Sequence, residues 1–114
     1  MVESQHYNIK ADVWSLGCII YEVCALERMF PPKDAQNKPV GIFRMMELIR
    51  SGDLKNIPNC YSDDLKRIVK KMLTRNPDKR PNVEELLKDK LLVQLMINRV
   101  KKQDSLKNEY PKGL

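Results

Sequence analysis

Val13 to Leu26 reads VWSLGCIIYEVCAL, a run whose apolar side chains fall on nearly every face of a helix. A helix that is apolar all round is stable only where other structure surrounds it on most sides, so this stretch predicts a central core helix starting near Ala11. It is too short to cross a bilayer, which needs about 20 apolar residues, and Glu22 interrupts it. Outward from it the chain offers three shorter amphipathic helices. An apolar stripe that faces one way cannot wrap every side of a cylinder, so covering material is in short supply.

The loop from Arg28 to Pro39 carries Pro31, Pro32 and Pro39, which fix φ and remove backbone donors, so no regular helix runs through it. A second helix is expected over Val40 to Arg50: Ile42, Met45, Met46 and Ile49 follow the i, i+3, i+4, i+7 pattern, and Gly52 stands where a left-handed cap would form. Ser62 is the expected N-cap of a third helix, with Asp63 and Asp64 at its positive dipole end. Leu65, Ile68, Val69, Met72 and Leu73 form the apolar stripe of that helix, and Lys66, Arg67, Lys70 and Lys71 its solvated face. The connector RNPDKRPN, Arg75 to Asn82, ends it. Asn82 with Glu85 resembles a capping box before a last helix from Val83, broken near Asp89. The chain from Arg99 is expected to fray.

Composition bounds the answer further. With 114 residues, 42% hydrophobic and 32% charged, the chain has room for one small domain or a part of a larger one and is not of the disordered type. No apolar run precedes a cleavage site near the start, so no signal peptide is read there, and the expected location is inside the cell, in the cytoplasm. Cys18, Cys24 and Cys60 lack CxxC spacing and are read as reduced, buried thiols. Residues 1–57 hold seven basic and seven acidic side chains and residues 58–114 fourteen and eight. The whole excess of +6 is therefore C-terminal, and its spread over helical faces suits solvation better than nucleic-acid binding.

Nothing among these residues writes a reaction. His6 has no Cys or His at ligand spacing and reads as a surface histidine. Ser15 and Ser62 have no neighbouring base. Gly17, Gly41, Gly52 and Gly113 form neither a dinucleotide fingerprint nor a Walker loop. The sequence therefore assigns no catalytic, cofactor-binding or metal-binding residue.

Two local patterns are more specific. Tyr7-Asn8-Ile9-Lys10-Ala11-Asp12-Val13-Trp14-Ser15-Leu16-Gly17-Cys18 resembles the DxWSxG segment that opens the central helix of the protein-kinase C-terminal lobe. Met72-Leu73-Thr74-Arg75-Asn76-Pro77-Asp78-Lys79-Arg80-Pro81 is similar to the kinase ML-x-x-x-P-x-x-RP motif. With an FxxMxxIxxG helix between them, the resemblance covers about residues 7–92. CIIYEVCALERMF and IPNCYSDDLKRIVKKML are most similar to the NIMA-related serine/threonine kinases.

The resemblance implies an all-α fold, an incomplete kinase C-lobe of four or five helices around the central apolar helix. Residues 1–98 would be the partial kinase domain and 99–114 a basic, frayed tail. Asp12, Trp14, Gly17, Arg80 and Pro81 are its structural motif residues. In the family the residue matching Asp12 accepts hydrogen bonds from the catalytic loop, and the one matching Arg80 pairs with the APE glutamate. About a dozen residues separate that glutamate from the helix-opening Asp, which places it just before Met1, so Glu3 is not its match. The Gly-rich loop, strand lysine, helical glutamate, HRD and DFG groups are not written in this stretch. ATP and Mg²⁺ belong to the full-length family, and none is expected for this chain, which should be inactive alone. Without those partners Asp12 is expected to cap the helix and Arg80 to be a solvated cation in a turn. Trp14 matches a tryptophan packed near the Arg80 motif.

The resemblance makes a protein substrate, or the missing kinase portion, the partner, with no membrane role. The alternative is a non-catalytic helical binding or scaffold module built from a kinase C-lobe. Nucleic-acid binding through Lys66 to Lys71 and Lys101, Lys102 ranks last, because interleaved aromatics are lacking.

Overall fold

The computed structural model describes the backbone of residues 2–109 and the side chains of residues 8–107. Five helices follow one another: α1 Val2–Ala25, α2 Ile42–Ser51, α3 Asp63–Met72, α4 Val83–Leu87 and α5 Lys90–Glu109. No strand occurs among the described residues; the only β-type feature among them is an isolated bridge between Lys33 and Pro39. The fold is all-α. It divides into two compact units, one up to Asn82 and one from Val83.

In the first unit α1 begins at Val2, well ahead of the start near Ala11 that the sequence predicts. Val2 to Ala11 contains no Pro or Gly, and once a helix is nucleated each further residue adds a hydrogen bond at low cost. Asp12 is consequently not an N-cap. It lies in mid-helix and exposed. The buried face of α1 is Lys10, Val13, Gly17 and Tyr21, spaced i, i+3, i+7 and i+11 as one side of a helix requires. On the opposite side Ile9, Leu16, Ile19 and Val23 are exposed, Val23 by 67%. The all-round apolar helix is thus covered on one side only. It ends at Leu26, whose φ of 57° turns the chain out of the helix.

The loop that follows is closed by its own polar groups. Asp34 accepts from the backbone N–H groups of Gln36 and Lys38, both at 2.9 Å, an Asx-type turn, and Val40 N donates to Pro32 O at 2.8 Å. Among the described residues, α2 buries no side chain fully. The helix is where its apolar period places it, but Ile42, Phe43 and Met46 face solvent. Its C-terminal glycine also differs from expectation. Gly52 is extended, with φ −70°, and its N–H donates to Leu48 O at 2.9 Å. A Cβ there would meet that oxygen at 2.8 Å, so glycine serves a close backbone approach and not a left-handed cap.

In α3 the pattern and the structure coincide. Ser62 caps the helix, its hydroxyl accepting from Leu65 N at 3.2 Å. Asp63 and Asp64 occupy the first turn, and Ile68, Val69 and Met72 are buried. α3 packs on α1 where the latter has no side chain: a Cβ on Gly17 would stand 3.0 Å from Met72 Cβ and 3.1 Å from Leu73 Cδ2. Met72 Cβ is fixed to its backbone and cannot swing away. Gly17→Val should therefore cost about 1–3 kcal/mol from overpacking, against a gain of well under 1 kcal/mol in helix propensity. A urea melt reads this, and unchanged stability would mean that the two helices can part without loss. The core beside this contact is Tyr21, Met29, Ile57, Val69 and Leu73.

In the second unit the break expected near Asp89 separates α4 from α5. Asp89 Oδ1 accepts from Leu91 N at 3.0 Å, which satisfies one of the first-turn donors of α5. α5 then continues to Glu109, across the range in which the sequence leads one to expect fraying. No helix among the described residues is long and apolar enough to cross a membrane.

Candidate functional site

The two motifs meet through Arg80. The prolines at Pro77 and Pro81 keep the connector out of a helix, and its turns are closed by Asp78 N donating to Asn76 Oδ1 at 3.0 Å and Arg80 N to Asn76 O at 3.0 Å. That geometry turns Arg80 inward, where it is 7% exposed. Its Nε donates to Thr74 O at 2.7 Å, Nη1 to Lys10 O at 2.7 Å and Nη2 to Arg75 O at 2.9 Å. The guanidinium also lies over the Trp14 ring, 5.2 Å from its centroid, a cation–π distance. The solvated turn cation expected from sequence is corrected here: carbonyl dipoles and an aromatic face take the place of water. Burial draws the guanidinium below the ordinary arginine value, with nearby Cys18 opposing.

Lys10 completes the arrangement from the other side. It is 4% exposed, and its Nζ donates to Arg80 O, so Lys10 and Arg80 each send a cation to the other's carbonyl. Sequence reading placed Lys10 inside a motif without a role. The signal was available, since Lys10 lies in phase with Val13, Gly17 and Tyr21 on the buried face. Nor does the sequence mark a role for Arg75. Its Nε donates to Ile49 O at 3.1 Å and its Nη2 to Gly52 O, so it supplies donors to carbonyls at the end of α2.

Of the other motif residues, Gly17 is buried against α3, Pro81 is half-buried after Arg80, and Asp12 is exposed. The three cysteines are free thiols, but Cys60 is exposed and Cys18 and Cys24 are half-buried, which corrects the expectation of three buried thiols. Burial and then Glu22 push the Cys18 thiol up, against a lowering by Arg80. The His6 side chain lies outside the described residues.

A second network ties the end of α1 to the segment before α3. The Tyr21 hydroxyl donates to Glu27 Oε1 at 2.7 Å, and Lys55 Nζ stands 3.5 Å from the same oxygen. Two cavities flank these networks. One of about 300 Å³ is lined by Trp14, Arg50, Arg75 and Arg80 with Ala11 and Ile49. The other, about 660 Å³, lies between residues 54–59 and α3 and has one carboxylate, Asp63, among several cations. Mg²⁺ requires oxygen ligands from carboxylates and phosphates, and no group of three His, Cys, Asp or Glu is drawn together among the described residues. These residues do not fit the metal of the kinase reaction.

An inward arginine on an RP dipeptide, held over the tryptophan of a DxWSxG helix, joins two kinase motifs in one packed cluster. The family model of the protein kinase domain matches residues 1–92, and the chain belongs to that family. Within it, the chain is similar to the NIMA-related kinases. It is 43% identical over 93 residues to the human serine/threonine-protein kinase Nek2, covering 79% of this chain and 19% of that protein. It is 39% identical over 84 residues to the G2-specific protein kinase nim-1 of Neurospora crassa, covering 74% and 9%. Nek8 of Danio rerio is 33% identical over 98 residues, covering 86% and 13%. The chain thus spans about a fifth or less of the length of these three relatives.

Proposed function

We propose that this chain is the C-terminal part of a NIMA-related-like serine/threonine kinase domain, that ATP-dependent protein phosphorylation belongs to the whole domain, and that the chain by itself is catalytically silent. Residues 1–98 are the kinase portion and 99–114 a basic tail. Its protein substrates are met by the assembled domain, in the cytoplasm. The observation that carries this reading is the exposed side of α1, where Ile9, Leu16, Ile19 and Val23 face solvent. A core helix of a lobe needs cover on that side, and in the kinase family the groups that position nucleotide and metal come from the portion that would supply it. The exposed Ile42, Phe43 and Met46 of α2 favour a second reading, a non-catalytic helical module that holds a partner on that face.

The purified 114-residue chain is expected to show no heat of Mg-ATP binding and no transfer of radiolabelled phosphate to a generic serine/threonine substrate. It should also bind the dye ANS, because a contiguous exposed apolar face of this kind is uncommon on a monomer. Saturable ATP binding abolished by substitutions within the chain would overturn the reading. A sharp monomer without dye fluorescence would remove the observation on which it rests.

A further inference from the structure

The larger cavity plays no part in the reading above. Its floor is apolar: Ile57, Val69 and Leu73 are 4%, 4% and 5% exposed. Its walls carry Lys55, Lys66, Arg67 and Lys70 against the single carboxylate of Asp63. A concave surface lined mainly by one sign of charge focuses its field and attracts the opposite sign, and about 660 Å³ is within the range of ligand clefts, roughly 300–1,000 Å³. Arg67 is paired with Asp64 at 3.1 Å and Lys66 donates to Asn59 Oδ1 at 3.1 Å, but the carboxylate contacts of Lys55 and Lys66 are longer. Lys55 stands 3.5 Å from Glu27 and Lys66 3.9 Å from Asp63, and the Asp63 side chain is fully exposed. Surface pairs of this kind contribute little to stability, so another carboxylate can replace them at little cost. Lys70 is exposed and forms no ion pair among the described residues.

We propose that this groove is a docking surface for an acidic peptide segment of a partner protein, its carboxylates on Lys55, Lys66 and Lys70 and an aliphatic side chain on the Ile57–Val69–Leu73 floor. Charge complementarity selects the occupant. A nucleic acid would satisfy the cations but not the floor, and no aromatic side chain lines the groove to stack a base.

The test is fluorescence anisotropy on the full chain with a short labelled peptide of Glu and Asp around a central Leu-Ile pair. Binding should weaken about tenfold or more, some 1.4 kcal/mol, in the double variant Lys55→Glu, Lys70→Glu. A similar loss is expected when Leu-Ile in the peptide becomes Ser-Ser. Lys101→Glu, Lys102→Glu, at positions outside the groove lining, should leave affinity unchanged. If charge reversal impairs folding in a urea melt, Lys55→Gln, Lys70→Gln should still weaken binding severalfold. The proposal is overturned if the tail variant weakens binding as much as the groove variant, if the Ser-Ser peptide binds equally well, or if oligothymidylate binds more tightly than the peptide.

Discussion

Arg80→Ala is expected to lower the unfolding free energy of this chain by about 3–5 kcal/mol, because hydrogen bonds to a charged group are worth roughly 1.5–3 kcal/mol each and three are lost together, less than additively. Thr74 O, Lys10 O and Arg75 O each lose a donor, and the Trp14 face loses its cation. Two elements far apart in sequence, α1 and the connector after α3, would come loose from each other. Arg80→Lys should recover only part of the loss, since one ammonium cannot match the planar fork that reaches three carbonyls. Trp14 is the single tryptophan, so its fluorescence in a urea titration reads the site directly. A loss below about 1 kcal/mol would return Arg80 to the exposed turn cation that its sequence context suggests. Asp12→Asn, at an exposed mid-helix position, should be nearly neutral in the same titration.

Tyr21→Ala should cost about 3–5 kcal/mol, the range for removing a large buried ring and leaving a cavity, because Tyr21 is 1% exposed at the centre of the core. Tyr21→Phe keeps the ring and removes only the hydroxyl, and its signature is a changed pH profile. Burial first, and then the bond to Glu27, pushes the Tyr21 hydroxyl from its ordinary 10 up to about 12. Between those values the unfolded chain has released a proton that the folded chain still holds. Stability is therefore whole below pH 10 and falls as pH rises toward about 12, by at most about 1.4 kcal/mol per unit. Glu27 has the opposite sign. The Tyr21 hydroxyl, and then Lys55, hold its carboxyl below the ordinary 4.5, so its contribution is present above that value and is lost as pH falls through the folded value. In Tyr21→Phe the alkaline slope assigned to this residue should vanish. An identical alkaline slope in both proteins would show that Tyr21 is not the group responsible.

The contrast between α2 and α3 shows what local sequence carries. Both helices were legible from apolar spacing and, for α3, from Ser62, Asp63 and Asp64, because period and capping depend on residues within a few positions of one another. Burial does not. The same kind of stripe is buried in α3 at Ile68, Val69 and Met72 and exposed in α2 at Ile42 and Met46, since burial depends on whether a second element reaches that face.

By itself the sequence determined the all-α class, the helix breaks at the prolines and at Asp89, and kinship with the kinase family through DxWSxG and the RP motif. Those are properties of short contiguous strings, in which backbone dihedrals, missing donors and motif spacing act locally. Only the tertiary structure decided what Arg80 and Lys10 do. In sequence they are two cations 70 positions apart, with no carboxylate to explain either. In the fold, the approach of α1 and α3 over Gly17 accompanies a connector that brings backbone carbonyls to both cations. A carbonyl is carried by every residue and leaves no mark in the sequence, so a cation satisfied by carbonyls can be recognised only once the chain has placed them around it.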